Sequence, residues 1–217
     1  TIILTTHYIH EAEDMAESFG YMGEALLLGL TTSVSAPAWA APSGDRFALG
    51  DSVMLGARTA LKDTGFSVDA TESRQAYAGP ALLRMRGERL PANVVVHLGT
   101  NGTFPLETCK AMVRAAGPDR RVFFVTVHVP RSWEKANNRT IRQCDGEFAP
   151  DRVHVIDWDE AAAQHPGWFY GDGIHLKPSG GAGFARLLDS SVDDAVAQAR
   201  AAALANASGT GKAAVDG

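Results

Sequence analysis

Residues 94–102 read VVVHLGTNG, an apolar run that ends in a short glycine-containing turn. A run of this length, rich in β-branched residues, is typical of a strand that is buried on both faces. From residue 46 onward the chain alternates such runs with longer amphipathic segments, which favours a parallel sheet covered by helices. The sequence therefore predicts an α/β protein, a three-layer α/β/α sandwich with a five-stranded parallel sheet.

The predicted elements follow one another in a simple order. Strands are expected at residues 46–49, 67–70, 94–98, 122–127 and 153–156. Helices are expected at residues 53–64, within 75–85, and at 106–116, 132–148 and 179–204. The folded domain is thus expected to span residues 46–204, followed by a small-residue, polar tail at 205–217 that we expect to be disordered.

The charge of the chain is unevenly distributed. The net charge is −5 over 217 residues, yet residues 1–45 contain six acidic residues and no lysine or arginine. The remainder holds 19 acidic and 20 basic residues, so the predicted domain is almost neutral. A neutral domain offers no electrostatic argument for binding nucleic acid.

Three motifs fall where predicted strands end: a Gly-Asp-Ser turn with Ser52, the turn with Asn101, and a later loop with Asp172 and His175. Ligands of parallel α/β sheets bind beyond the carboxyl ends of the strands. We therefore expect these four residues to share one site.

The residue types suit acyl transfer through a serine. Ser52 is the candidate nucleophile, and His175 is the candidate base, provided that Asp172 holds its other ring nitrogen. The side chain of Asn101 and the backbone N–H of Ser52, at the start of a helix, are candidate donors to an oxyanion.

Each motif alone also has a structural explanation. Asp51 and Ser52 could simply cap a helix, Asn101 could belong to an ordinary turn, and His175 could be a surface histidine. The agreement of three motifs at successive strand ends favours catalysis over these alternatives.

Together, GDSVMLG at residues 50–56, LGTNG at 98–102 and DGIHL at 172–176 resemble the SGNH (GDSL-type) hydrolases. Within that superfamily the chain is most similar to the SGNH domain of peptidoglycan and polysaccharide O-acetyltransferases, over roughly residues 46–190. The resemblance implies a flavodoxin-like fold and a Ser-His-Asp triad of Ser52, His175 and Asp172. It also implies an acyl-enzyme, without metal or cofactor, acting on short esters of glycans.

The resemblance extends to several candidate binding residues. Members of the family often carry glycine as a backbone oxyanion donor where Ser73 stands here. Arg74 and Gln75 follow it, and a later segment with Arg131, Ser132, Trp133 and Asn137 is similar to the subgroup. The resemblance implies that Arg74, Gln75, Trp133 and Asn137 contact substrate and makes Arg131 and Ser132 further candidates for the substrate rim. Helix packing remains an equal alternative for the residues of the later segment.

No multi-helix membrane acyltransferase domain accompanies the motifs in this sequence. The expected substrate is an acylated carbohydrate or another small ester. The sequence leaves two reactions open. One is hydrolysis, and the other is transfer of acyl groups that a separate membrane acyltransferase supplies. A glycan-binding module that kept the fold without catalysis is the alternative from a different functional class.

The first 45 residues form a predicted extension. Residues 1–20 resemble the end of an ABC-transporter ATPase domain, with His7 at the switch-histidine position, but no phosphate-binding loop motif occurs. We interpret them as a fusion remnant or a misplaced start without ATPase function, and a chance strand–helix pattern is the alternative. The apolar run at 25–34, followed by Ala38 and Ala40, resembles a signal peptide, which predicts an exported protein; a peripheral helix is the alternative.

The two cysteines, Cys109 and Cys144, fit no metal-binding spacing. In a reducing compartment they would be buried thiols, whereas in an exported protein they could form a disulfide. They fall on predicted helices that follow adjacent strands. Two helices on one face of the sheet could bring them together.

Overall fold

The computed structural model describes the backbone of residues 46–213 and the side chains of residues 46–205. The predictions for residues 1–45, including His7 and the export signal, lie outside the described residues. So do the last four residues of the predicted tail.

Five parallel strands form one sheet in the order β2-β1-β3-β4-β5. The strands are β1 (Arg46–Gly50), β2 (Phe66–Ala70), β3 (Asn93–His97), β4 (Arg121–Val125) and β5 (Val153–Ile156). Each of them overlaps a predicted strand, because short β-branched runs between turn residues are a strong local signal.

Seven α-helices connect and follow the strands within the described residues. They are α1 (Ser52–Gly56), α2 (Arg58–Asp63), α3 (Gly79–Arg86), α4 (Leu106–Ala116), α5 (Glu134–Asp145), α6 (Trp158–Gln164) and α7 (Pro178–Ala213). None of these helices combines the length and apolar character that crossing a bilayer requires.

Three helix predictions need correction. The helix expected at residues 53–64 is divided at Ala57 into α1 and α2. Helix α6 was not predicted, although Asp157 caps it by accepting a hydrogen bond from the Glu160 backbone N–H. Helix α7 continues to Ala213 rather than ending near residue 204, so residues 205–213 are helical where we expected disorder.

The core lies on both faces of the sheet, as a three-layer sandwich requires. Phe47 and Leu49 pack on one face with residues of α3, α4 and α5. Ala48, which lies between them in β1, packs on the other face with residues of α1, α2, α6 and α7. Adjacent strand residues point to opposite faces, so an apolar strand is buried on both sides. The predicted fold class is confirmed.

A disulfide joins Cys109 of α4 to Cys144 of α5, with the Cα atoms 6.5 Å apart. Both helices cover the same face of the sheet, which explains how residues 35 positions apart can meet. The pairing that the sequence left conditional on export is therefore present in the structure.

Removing this disulfide should destabilise the domain. Closing a loop of 35 residues restricts the unfolded chain, so we expect the double variant Cys109→Ala/Cys144→Ala to lose about 4 kcal/mol in free energy of unfolding. Urea unfolding with and without a reducing agent measures this. Reduction should weaken the wild type and leave the double variant unchanged, and two titratable thiols in the oxidised wild type would contradict the pairing.

Candidate active site

The three sequence motifs meet at the carboxyl edge of the sheet. Ser52 follows β1, Asn101 follows β3, and His175 lies in the segment between α6 and α7. All three side chains line one cavity of about 440 Å³. The sheet thus brings the predicted motifs together, because parallel strands end at the same edge.

The turn that presents Ser52 is held tightly. Asp51 caps α1, since its Oδ1 accepts a hydrogen bond from the Val53 backbone N–H at 3.1 Å. A Cβ atom on Gly50 would lie 2.5 Å from the Cβ of Met54, so only glycine fits there. With five residues, α1 is too short to supply the dipole expected of a long helix, which leaves individual N–H groups as the donors at this position.

The side chains of Ser52, His175 and Asp172 form a continuous hydrogen-bonded chain. His175 Nε2 lies 3.2 Å from Ser52 Oγ, and His175 Nδ1 lies 2.6 Å from Asp172 Oδ2. Each imidazole nitrogen therefore has one partner. This arrangement places a base beside the serine hydroxyl and an acceptor behind the base.

The Asp172 carboxylate is held in its ionised form. The hydrogen bond from His175 and two backbone N–H groups, of Ile174 and His175, lower the pKa of Asp172 to about 2. Gly173 adopts a φ of +68°, which allows the tight turn that brings both N–H groups onto Asp172 Oδ1. Since the Asp172 and His175 side chains are about half exposed, this pair orients the base more than it stabilises the fold.

Two candidate oxyanion donors besides Ser52 line the cavity, Ser73 and Asn101. Asn101 Nδ2 donates to the backbone oxygen of Arg74 at 3.2 Å, which fixes the side-chain amide. Ser73 has a φ of +57°, a left-handed conformation that favours glycine. The backbone at this position therefore matches the glycine that SGNH hydrolases often carry there.

Of the candidate substrate residues, Arg131 lines the cavity, and so does Trp133. Its indole Nε1 donates to the backbone oxygen of Thr100 at 3.3 Å, which orients the ring beside the Asn101 turn. Gln75 is exposed and does not belong to the cavity wall. Its proposed contact with substrate stays a prediction.

Arg74 and Asn137 require correction, because both face inward. The Arg74 guanidinium donates to the backbone oxygens of Gly50 and Asp69 and to the Asp69 carboxylate. Asn137 is buried, and its Nδ2 donates to the backbone oxygens of Gly99 and Gly102 at 2.9 and 2.8 Å. Unpaired backbone oxygens in a buried loop are costly, so these side chains serve to hold the loops rather than to bind substrate.

The sequence prediction missed several residues of the cavity wall. They are Glu72, Thr100, Val129 and Ile174. Three of them adjoin a predicted site residue, and Val129 follows β4, whose carboxyl end reaches the same edge. Applying the strand-end rule to the fourth strand would have found Val129.

One group of potential metal ligands lies within the described residues. Ligand atoms of His128, Glu134 and Asp159 lie within 4.8 Å of one another. Each of these side chains already has a protein partner. His128 Nδ1 meets Asp159 at 2.9 Å, and Glu134 accepts a hydrogen bond from the Val129 backbone N–H at 2.6 Å. These contacts explain why the three side chains lie together: they hold the segment after β4 in place.

Sequence comparison finds relatives among acetyltransferases. No family model matches the chain. YrhL of Bacillus subtilis (strain 168), which is named as a peptidoglycan O-acetyltransferase, is 32% identical over 137 residues. The match covers 61% of this chain and 21% of YrhL. The chain spans about a fifth of the length of the curated relatives that it matches.

Solved structures share the architecture. The C-terminal catalytic domain of peptidoglycan O-acetyltransferase A (OatA) of Streptococcus pneumoniae superimposes with a TM-score of 0.62 at 19% identity, covering 70% of this chain and 94% of that domain. The chain has the SGNH hydrolase fold. A family 3 carbohydrate esterase of Talaromyces cellulolyticus gives a TM-score of 0.54 at 17% identity, with coverage of 70% and 98%. The resemblance read from the SGNH motifs is thereby confirmed.

Proposed function

We propose that this SGNH domain is a serine esterase or O-acetyltransferase that acts on short acyl esters, chiefly acetyl, of cell-envelope or other glycans. The hydrogen-bonded chain from Ser52 through His175 to Asp172, opening on a cavity, carries this proposal. The names of the relatives, a peptidoglycan O-acetyltransferase and OatA, support the acetyl group and the glycan.

The reaction begins with Ser52. Its Oγ attacks the ester carbonyl carbon while its proton passes to His175 Nε2, and the carbonyl oxygen becomes an oxyanion. The side-chain amide of Asn101 and the backbone N–H groups of Ser52 and Ser73 are the proposed donors to that oxyanion. Losing one such donor typically lowers the rate by about 10²- to 10³-fold.

The intermediate then collapses to an acyl-enzyme. The bond to the alcohol oxygen breaks, and the leaving alcohol takes the proton from His175. Water or a sugar hydroxyl next gives its proton to His175 and attacks the acyl carbon. The bond from that carbon to Ser52 Oγ then breaks, and Ser52 Oγ takes the proton back from His175. Water yields hydrolysis and a sugar hydroxyl yields acyl transfer, so both activities use the same residues.

The cavity wall suits a sugar more than a fatty chain. Trp133 can stack on the apolar face of a pyranose ring. Glu72 and Arg131 supply charged groups that hydrogen-bond to hydroxyls, while Val129 and Ile174 are the aliphatic side chains of the wall. This lining supports a short acyl group on a carbohydrate.

We further propose that the domain works outside the cytoplasm. Disulfides persist mainly in oxidising compartments, and the Cys109–Cys144 bond supports such a location. A separate membrane acyltransferase as acyl donor stays a prediction.

Ester chain length provides the test of substrate class. We expect kcat/KM for p-nitrophenyl esters to be highest at acetate or propionate and to fall by octanoate. An apolar tunnel would instead raise kcat/KM by roughly fourfold per added CH₂, since burying each CH₂ contributes about 0.8 kcal/mol. Rates are measured from acetate to decanoate, with Ser52→Ala subtracted at each length.

A steady rise with chain length would overturn the glycan assignment in favour of a lipase-like enzyme. Turnover that survives in Ser52→Ala at every length would overturn the serine mechanism itself.

A further inference from the structure

Two buried ionisable side chains lie behind the nucleophile and take no part in the triad. Asp51 and His97 both have 0% of their surface exposed. Asp51 directly precedes Ser52, and His97 ends β3 opposite Gly50 in the sheet register. His97 Nδ1 lies 3.4 Å from Asp51 Oδ1.

The Asp51 carboxylate has few other partners. Its Oδ1 accepts from the Val53 backbone N–H, and its Oδ2 has no hydrogen-bond partner among the described residues. Among residues 46–205, His97 is the basic side chain within salt-bridge distance of it. A carboxylate buried in this way is tolerated only where a donor or a positive charge faces it.

An uncompensated charge at Asp51 would oppose catalysis. The proposed oxyanion forms at Ser52, one residue along the chain, and Asp51 itself has none of its surface exposed. A buried charge is screened less than an exposed one, so a bare carboxylate at Asp51 would raise the energy of the oxyanion. It would also draw the Gly50–Ser52 turn towards any other available donor.

We propose that His97 is a positioning residue for the nucleophile, acting through Asp51. Its Nδ1 carries a hydrogen towards the Asp51 carboxylate, which compensates the charge there and keeps that carboxylate on the Val53 N–H. The turn then holds the Ser52 hydroxyl towards His175. This inference rests on the proposed esterase activity, and His97 itself does not contact substrate.

A packing role is the competing explanation. The His97 ring meets Phe184 of α7 edge to face, with the ring centroids 5.3 Å apart. If His97 served only to fill this space, a phenylalanine in its place would preserve the function. The charge of Asp51 would then not influence the result.

A double-mutant cycle separates the two explanations. We expect His97→Phe to lower kcat for p-nitrophenyl acetate by about 10- to 100-fold with KM within about twofold, because the lost interaction acts on the transition state. His97→Gln keeps a donor and should restore most of the activity. Asp51→Asn removes the charge, while the oxygen of the new amide side chain can still cap α1. Adding His97→Phe to Asp51→Asn should therefore lower kcat by less than about threefold.

His154→Phe is the matched control. His154 stacks on Phe123 and lies 3.7 Å from a carboxylate of Asp151, but it stands near the amino end of β5, at the opposite edge of the sheet. The kcat of His154→Phe should stay within about twofold of the wild-type value. If His97→Phe does not fold, two comparisons of kcat remain. His97→Gln is compared with the wild type, and the double variant Asp51→Asn/His97→Phe is compared with Asp51→Asn. Neither His97→Gln nor the double variant leaves the Asp51 charge buried without a donor.

Two results overturn the inference while leaving the proposed function intact. One is a wild-type kcat in His97→Phe; the other is the same loss from His97→Phe in both the Asp51 and the Asp51→Asn backgrounds. A wild-type protein that shows no Ser52-dependent turnover would overturn the proposed function, and this inference with it.

Discussion

Replacing Ser52 by alanine is expected to lower kcat/KM for p-nitrophenyl acetate by about 10⁴- to 10⁶-fold, because the variant has no nucleophile for His175 to activate. A fluorophosphonate should label the wild type at Ser52, located by peptide mass mapping, and should leave Ser52→Ala unlabelled. The expectation follows from the 3.2 Å contact between Ser52 Oγ and His175 Nε2.

Ser190→Ala is the control for this experiment. Ser190 is an exposed serine of α7 whose hydroxyl donates to the backbone oxygen of Leu187, so its loss should change neither labelling nor turnover. Labelling of another serine, or full activity in Ser52→Ala, would refute the assignment. A wild type with no esterase turnover and no labelled serine would instead favour a binding module that kept the fold.

The second large effect concerns His175 and Asp172, which should act as one unit. His175→Ala is expected to cost about 10⁴- to 10⁶-fold in kcat, and Asp172→Asn about 10⁴-fold, because neither residue works without the other. The double variant should be no worse than His175→Ala alone. A loss equal to the product of the two single losses would mean that the residues act independently.

The dependence of activity on pH tests the same unit. A general base accepts a proton only in its unprotonated form, so kcat/KM should be lower in acid than at neutral pH. Asp172, with a pKa of about 2, stays ionised throughout and should add no further inflection at mildly acidic pH. A profile with its highest kcat/KM in acid would contradict the role of His175 as a base.

The chain contains a second histidine–carboxylate pair that serves as the matched control. His128 Nδ1 lies 2.9 Å from Asp159 Oδ1, at nearly the same separation as in the His175–Asp172 pair. Its described contacts brace the segment after β4. His128→Gln should therefore keep kcat/KM within about tenfold of the wild type, far above the level of His175→Ala.

The sequence anticipated that the motifs lie together, because local signals and sheet geometry agree there. Ser52 and Asn101 each follow an apolar strand, and Asp172 and His175 are only three residues apart. Their meeting point follows from the parallel order of the strands, without knowledge of any side-chain contact. Long-range packing is not needed to bring such motifs to the same edge.

The prediction failed where a side chain has two possible directions. Asn137 lies on α5 and could in principle face the cavity or the interior. It faces inward because the carbonyls of Gly99 and Gly102, more than 30 positions away in the sequence, need a donor. Arg74 likewise faces inward towards the carbonyls of Gly50 and Asp69. Hydrophobic periodicity in the sequence does not show which buried carbonyl groups require a side-chain donor.

The sequence by itself determined the α/β fold, the strand positions and the residues that carry the proposed chemistry, because strands, turns and short motifs are local properties of the chain. The tertiary structure alone decided which polar residues reach the cavity, whether Cys109 and Cys144 pair, and that His97 stands against Asp51. These depend on contacts between distant segments, where each buried polar group must find a partner that only the folded chain supplies.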